Sequence, residues 1–198
     1  MKTELLRADE EEDLRTAARL LSEGRVVGIP TETVYGLAAR EDDEAAVERI
    51  YELKKRPRDK KLSRLIAGPT AWKEHVADLP EAAEVLADAF WPGPLTLVVP
   101  AEGGDTIGLR CPDMAATRRM LELAGVAAVA PSANLSGEPP AVTAQEVMDI
   151  FEGDIPAVLD GGRAPLQVSS TVVSVDAEGW AILREGALSG DDIRGALD

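Results

Sequence analysis

Lys54-x-Arg56-Pro57-x-x-Lys60 places an arginine two residues from one lysine and four from another, just where Pro57 must stop a helix. Such a set suits a polyphosphate, because the arginine fork grips oxygens bidentately while lysine adds a mobile point charge. A solvated helix end, its cations complementing the macrodipole, explains the same charges equally well. Three other segments set small polar residues directly after an apolar run, where α/β proteins hold ligands. They are Thr31-Glu32-Thr33-Val34-Tyr35, then Ser132-Ala133-Asn134-Leu135-Ser136, and Ser169-Ser170-Thr171 with Arg184 on the following strand. Each has a plain alternative: a capping turn for the first, an ordinary Ser/Asn/Gly loop for the second, an exposed cross-strand arginine for the third.

The elements that must position these residues follow from periodicity. Leu14, Ala17, Ala18 and Leu21 recur at helical spacing behind an acidic first turn, predicting a helix over 9–24. Val47, Ile50 and Leu53 predict another over 42–55. Further helices are expected at 69–77, 80–90, 113–124 and 143–153. Strands are expected at 25–29, 62–68, 95–100, 106–112 and 125–130, then in the tail at 157–162, 169–175 and 180–185, the last two joined as a hairpin. Helix alternates with strand, so the fold class is α/β with a mixed sheet. Without a linker or repeat dividing it, the chain reads as one domain over 1–198, its core at about 10–187.

Composition removes whole classes of function. The chain has 198 residues, 45% of them hydrophobic, and a formal charge of −15. One cysteine, Cys111, and one histidine, His75, exclude an internal disulfide, structural zinc and iron–sulfur clusters. His75 reads as a surface helix residue, and Cys111 lacks a neighbouring base for thiol catalysis. No apolar run is long enough to span a bilayer, and MKTELLRADEEED has no signal-peptide core, so a cytoplasmic protein is expected. Neither a Walker A loop nor a G-x-G-x-x-G fingerprint occurs. Against the acidic background, residues 49–64 carry eight cations and two carboxylates, and four of the six lysines fall within 54–61. That concentration points to a bound anion or to a charged helix end.

Read together, GIPTETVYGLAA, LKKRPRDKKL, FWPGPLTLVVP, IGLRCPD, APSANLSGEPP, LDGG, SSTVVSV and ILREGAL resemble the blocks of the YrdC-like threonylcarbamoyl-AMP synthases, in order, from about Arg25 to Ala187. The resemblance implies an open twisted mixed sheet flanked by helices around a deep, positively lined cavity. It implies conversion of L-threonine, bicarbonate and ATP to threonylcarbamoyl-AMP and pyrophosphate. The product would pass to a tRNA threonylcarbamoyl transferase complex acting at adenosine 37 of ANN-decoding tRNAs, with tRNA itself not a direct substrate. By motif position, Thr33, Arg110, Ser132 and Ser170 are expected against L-threonine, with Thr31 and Tyr35 lining that end. Lys54, Arg56, Lys60, Thr106, Asn134 and Arg184 are expected against ATP, Lys54 and Arg56 as the catalytic pair. Mg²⁺ is expected to arrive on ATP, with no organic cofactor.

The chain departs from the family pattern in places. Lys61 stands where proline is usual, Ser63-Arg64-Leu65 replaces a more apolar run, Ser169 replaces an acidic residue, and the loop 101–105 is short. The chain ends soon after ILREGAL, as in the single-domain form. Two other readings stay open: a double-stranded RNA binder, which the −15 charge opposes, and a paralogue that binds nucleotide without synthase activity.

Overall fold

The computed structural model describes residues 2–76 and 80–198, without the side chains of Glu74, His75 and Glu102. Ten strands and six α-helices are seen among the described residues. In chain order they are β1 (Glu4–Arg7), α1 (Glu11–Ser22), β2 (Val27–Ile29), β3 (Gly36–Arg40), α2 (Glu44–Lys54) and β4 (Ser63–Leu65). Next come α3 (Glu81–Phe90), β5 (Leu95–Pro100), β6 (Thr106–Arg110), α4 (Ala115–Ala124) and β7 (Ala128–Val129). The remainder is α5 (Ala144–Phe151), β8 (Ala157–Asp160), β9 (Thr171–Asp176), β10 (Gly179–Arg184) and α6 (Gly190–Leu197). The strands form one mixed sheet in the order β1-β8-β2-β3-β7-β4-β6-β5-β9-β10.

Side-chain alternation explains how helices cover both faces of one half of this sheet. Leu37 and Ala39 of β3 and Val158 of β8 pack with Ile50 of α2 and Val147 of α5. Ala38 of β3 and Ala157 and Leu159 of β8 turn the other way, onto Leu14, Ala17 and Leu21 of α1 and Met120 of α4. Strands buried on both faces read as unbroken apolar runs.

The other half behaves differently. Leu95, Leu97 and Val99 of β5, Leu109 of β6 and Val173 and Val175 of β9 pack under Leu86 of α3 and Ile193 of α6. The alternate residues Thr96, Val98, Gly108, Arg110, Ser170 and Val172 face a cavity instead. At β10 the pairing with β9 shifts between Ile182 and Arg184. That shift lets Ile182 pack against the core while Arg184, two residues later, lines the cavity.

Several sequence expectations change. Residues 71–75 form only a 3₁₀ turn within the helix expected at 69–77, and 77–79 lie outside the described residues. The His75 side chain also lies outside them. The strand expected at 125–130 shrinks to two residues and that at 62–68 to three, with Ala130 N still donating to the Ser63 carbonyl and Ile66 N to the Arg110 carbonyl just past their ends. β1, β3 and α6 arise where no element was expected.

Candidate functional site

The cavity has a volume of about 270 Å³, and residues from distant parts of the chain meet in its wall. The turn after β2 contributes Thr31 and Tyr35, the loop after α2 Arg56, and β6 Thr106 and Arg110. Ser132 comes from the loop after β7, Ser170 from the approach to β9 and Arg184 from β10. Eight residues named from the sequence therefore share one space.

Three of them carry guanidinium groups. Arg110 is 8% exposed, and its Nη2 donates to Glu32 Oε1 at 2.8 Å and to Thr33 Oγ1 at 2.7 Å. Its Nε is buried without a hydrogen-bond partner among the described residues. Arg184 Nη2 donates to the Ser170 carbonyl at 2.8 Å and to Ser170 Oγ at 3.3 Å, and that hydroxyl also meets Thr96 Oγ1 at 2.9 Å. Arg56 curls over its own loop, Nε donating to the Lys60 carbonyl and Nη2 to the Lys61 carbonyl, both at 3.0 Å. Burial pushes the pKa of Arg56 down. Burial does the same to Arg184, reinforced by the nearby charges of Arg110 and Arg56. Like charges crowded in a partly desolvated space favour an anionic guest.

Three expected residues lie behind the wall rather than in it. Lys54, the last residue of α2, is 1% exposed, and its Nζ donates to the carbonyls of Ser132 and Asn134 and to Asn134 Oδ1. Asn134 is likewise committed: Oδ1 also accepts from Ser132 Oγ, and Nδ2 donates to the carbonyls of Leu135 and Glu138. The K-x-R and S-x-N segments are thus tied to each other. Thr33 is fully buried, its hydroxyl meeting Thr31 Oγ1 at 2.8 Å. Lys60 is exposed and outside the wall, its carbonyl serving Arg56 and Tyr51.

Half of the cations in the basic stretch are paired with carboxylates. Arg49 pairs with Glu52 and Asp154, Arg58 with Glu48, Lys61 with Asp105 and Arg64 with Glu41. Of that stretch, Arg56 and Lys61 line the cavity, where Arg110 and Arg184 join them. Tyr35 acts as a strut: its hydroxyl donates to the Gly162 carbonyl at 2.7 Å and accepts from Gly161 N at 3.2 Å, and burial raises its pKa to about 12.

Two supports behind the wall escaped the sequence reading. Glu32, in the middle of the PTETVYG block, is 6% exposed and is the carboxylate partner of Arg110. The signal was an acid between two threonines after a buried strand. Gly186 allows the chain after β10 to pass Ser169 and Ser170, since a Cβ there would lie 2.2 Å from the Ser169 carbonyl oxygen.

Cys111 is fully buried, and burial raises its thiol to about pKa 11. The thiol is therefore expected to stay unmodified by a disulfide reagent in native buffer and to react fully in urea. Cys111→Ala is expected to keep turnover within about twofold while lowering stability by about 1 kcal/mol. Rapid native labelling, or loss of activity in the folded variant, would contradict this.

The family profile described as "Telomere recombination", Sua5/YciO/YrdC, matches residues 19–186. The threonylcarbamoyl-AMP synthase of Pyrococcus abyssi is 41% identical over 193 residues, covering 93% of this chain and 57% of that protein. That of Bacillus subtilis is 36% identical over 214 residues, covering 100% of this chain and 62% of its own length. The chain thus spans about three fifths of the length of these curated relatives. The solved structure of P. abyssi Sua5 complexed with L-threonine superposes with a TM-score of 0.91 at 38% identity, covering 100% of this chain and 61% of that one.

Proposed function

The chain belongs to the Sua5/YciO/YrdC family, and from that membership we propose that it is a threonylcarbamoyl-AMP synthase acting on L-threonine, bicarbonate and ATP. One observation carries the reading: Arg56, Arg110 and Arg184 share the wall of one cavity. A substrate carboxylate and the phosphates of ATP supply the counter-charge that three guanidinium groups in one wall favour. The names of the relatives point the same way, as does the threonine complex of the archaeal protein.

In the proposed reaction, the amino group of threonine takes up bicarbonate as a carbamate, with loss of water. A carbamate oxygen attacks the α-phosphorus of ATP, the new O–P bond forms, and the bond to the β-phosphate bridging oxygen breaks, releasing pyrophosphate. Such a step needs in-line placement and charge neutralisation rather than a protein nucleophile. Arg110 takes the threonine carboxylate, with Ser132 and Ser170 beside it. Arg56 and Arg184 face the phosphates, and Thr106 lies on the nucleotide side. Lys54 and Asn134 serve by holding the loop that carries Ser132.

Mg²⁺ arrives on the phosphate oxygens of ATP. Glu32, the buried carboxylate behind this wall, is already engaged by Arg110 and Asp113 N, so its oxygens are not free for a metal. Among the described residues, no helix is long and apolar enough to cross a membrane. We place the protein in the cytoplasm, passing its product to a tRNA threonylcarbamoyl transferase complex, with tRNA not a direct substrate.

The test is pyrophosphate release from MgATP by the purified protein, with and without L-threonine and with and without bicarbonate. Release that requires both is expected. Threonine-independent release, or tight ATP binding without release, would move the protein to the nucleotide-binding paralogues.

A further inference from the structure

Arg110 is held by an ordered chain of hydrogen bonds in which every proton is assigned. Thr31 Oγ1 donates to the Val34 carbonyl at 2.5 Å. A hydroxyl has one proton, so in the 2.8 Å contact between the two threonines Thr33 is the donor. Thr33 Oγ1 must then accept from Arg110 Nη2, as its 2.7 Å contact permits. The second proton of Nη2 goes to Glu32 Oε1 at 2.8 Å. Glu32 Oε2 in turn accepts from Asp113 N at 3.0 Å, in the segment that leaves β6. Both carboxylate oxygens are fixed, Nη2 is fully used, and Nε–H is the buried donor left over.

We propose that Glu32 is a positioning residue: by fixing Nη2 it holds the Arg110 guanidinium in the cavity wall, and so sets the affinity for the carboxylate of the substrate amino acid. The inference rests on the reading of Arg110 as the partner of the threonine carboxylate. Glu32 does not itself line the cavity, and it acts through Arg110. Its backbone carbonyl also accepts from Leu166 N at 2.9 Å, which ties the loop leading to Ser169 and Ser170 to the same turn.

Glu32→Gln is the discriminating change. The amide keeps the shape but has one oxygen for two donors, Arg110 Nη2 and Asp113 N, so its NH₂ must face one of them. Initial rates of pyrophosphate release with threonine varied at saturating ATP and bicarbonate are expected to show the threonine KM raised about tenfold to a hundredfold. The ATP KM is expected to stay within about twofold.

If Glu32→Gln fails to fold, Thr33→Val removes the other acceptor of Nη2 and is expected to raise the same KM, with Thr33→Ser restoring it. An unchanged threonine KM in the folded Glu32→Gln or Thr33→Val enzyme, or equal rises in both KM values, would overturn the inference alone. A wild-type enzyme indifferent to threonine would overturn the functional reading on which it stands.

Discussion

Arg110→Ala is expected to abolish threonine-dependent pyrophosphate release and also to lower the stability of the protein by about 3–5 kcal/mol. The two losses have different origins. Activity falls because the substrate carboxylate loses its cation. Stability falls because Glu32, with its side chain only 7% exposed, loses its cation while remaining out of water. Removing one member of a buried ion pair is costly for that reason, whereas replacing both members with neutral groups of similar volume is often neutral or favourable. The double variant Arg110→Met, Glu32→Gln is therefore expected to recover most of the stability and none of the activity. Urea denaturation and the pyrophosphate assay separate these outcomes. A single variant as stable as the wild type would show that water reaches Glu32.

Lys54 provides the second large effect, and it acts through pH. Burial, helped by the neighbouring Arg56 charge, lowers its pKa from 10.5 to about 8. Its three acceptors need three N–H donors, and only the ammonium form has them. Above pH 8 one acceptor on the Ser132–Asn134 loop loses its partner, so kcat/KM is expected to fall with an apparent pKa near 8. The limb in kcat should lie higher, because bound phosphates favour the charged amine. Stability runs the opposite way: from pH 8 to 10.5 the unfolded chain binds more protons than the folded one, so this group's contribution to stability increases with pH. Lys54→Arg, if it folds, should move the alkaline limb upward. Lys54→Met is expected to be inactive and destabilised by on the order of 3 kcal/mol, since it strands all three oxygens. A kcat/KM profile flat to pH 10 would refute this account.

The fold was legible where one helix face was apolar. α1, α2, α3, α4 and α5 follow the expected spacing within a few residues at each end. β3 was not legible, because Gly36-Leu37-Ala38-Ala39-Arg40 follows a polar turn and has few β-branched or aromatic residues. Its strand character comes from pairing with β2 and β7. The site was legible as a set of blocks, and eight of the named residues do meet at the cavity. The division of labour among them was not. Nothing local to Lys54 or Thr33 says that each is spent on another protein group, because Asn134 lies 80 positions from Lys54 and Arg110 77 from Thr33. Arg184 depended on a register shift that a single strand cannot reveal.

The span of these contacts bears on how the protein acquires its activity. Tyr35 reaches Gly162 across 127 positions, Lys54 reaches Asn134 across 80, and Arg110 reaches Thr33 across 77. Loop-closure entropy must be overcome before such contacts reward the chain, so they form late and slowly. The half around α1 and α2 cannot close before β8, which lies between β1 and β2 and ends at Asp160, shortly before β9 begins at Thr171; until β9 and β10 arrive the cavity lacks Ser170 and Arg184. Substrate binding thus reports the last stage of folding, and any nascent or proteolysed chain short of Arg184 carries no competent pocket.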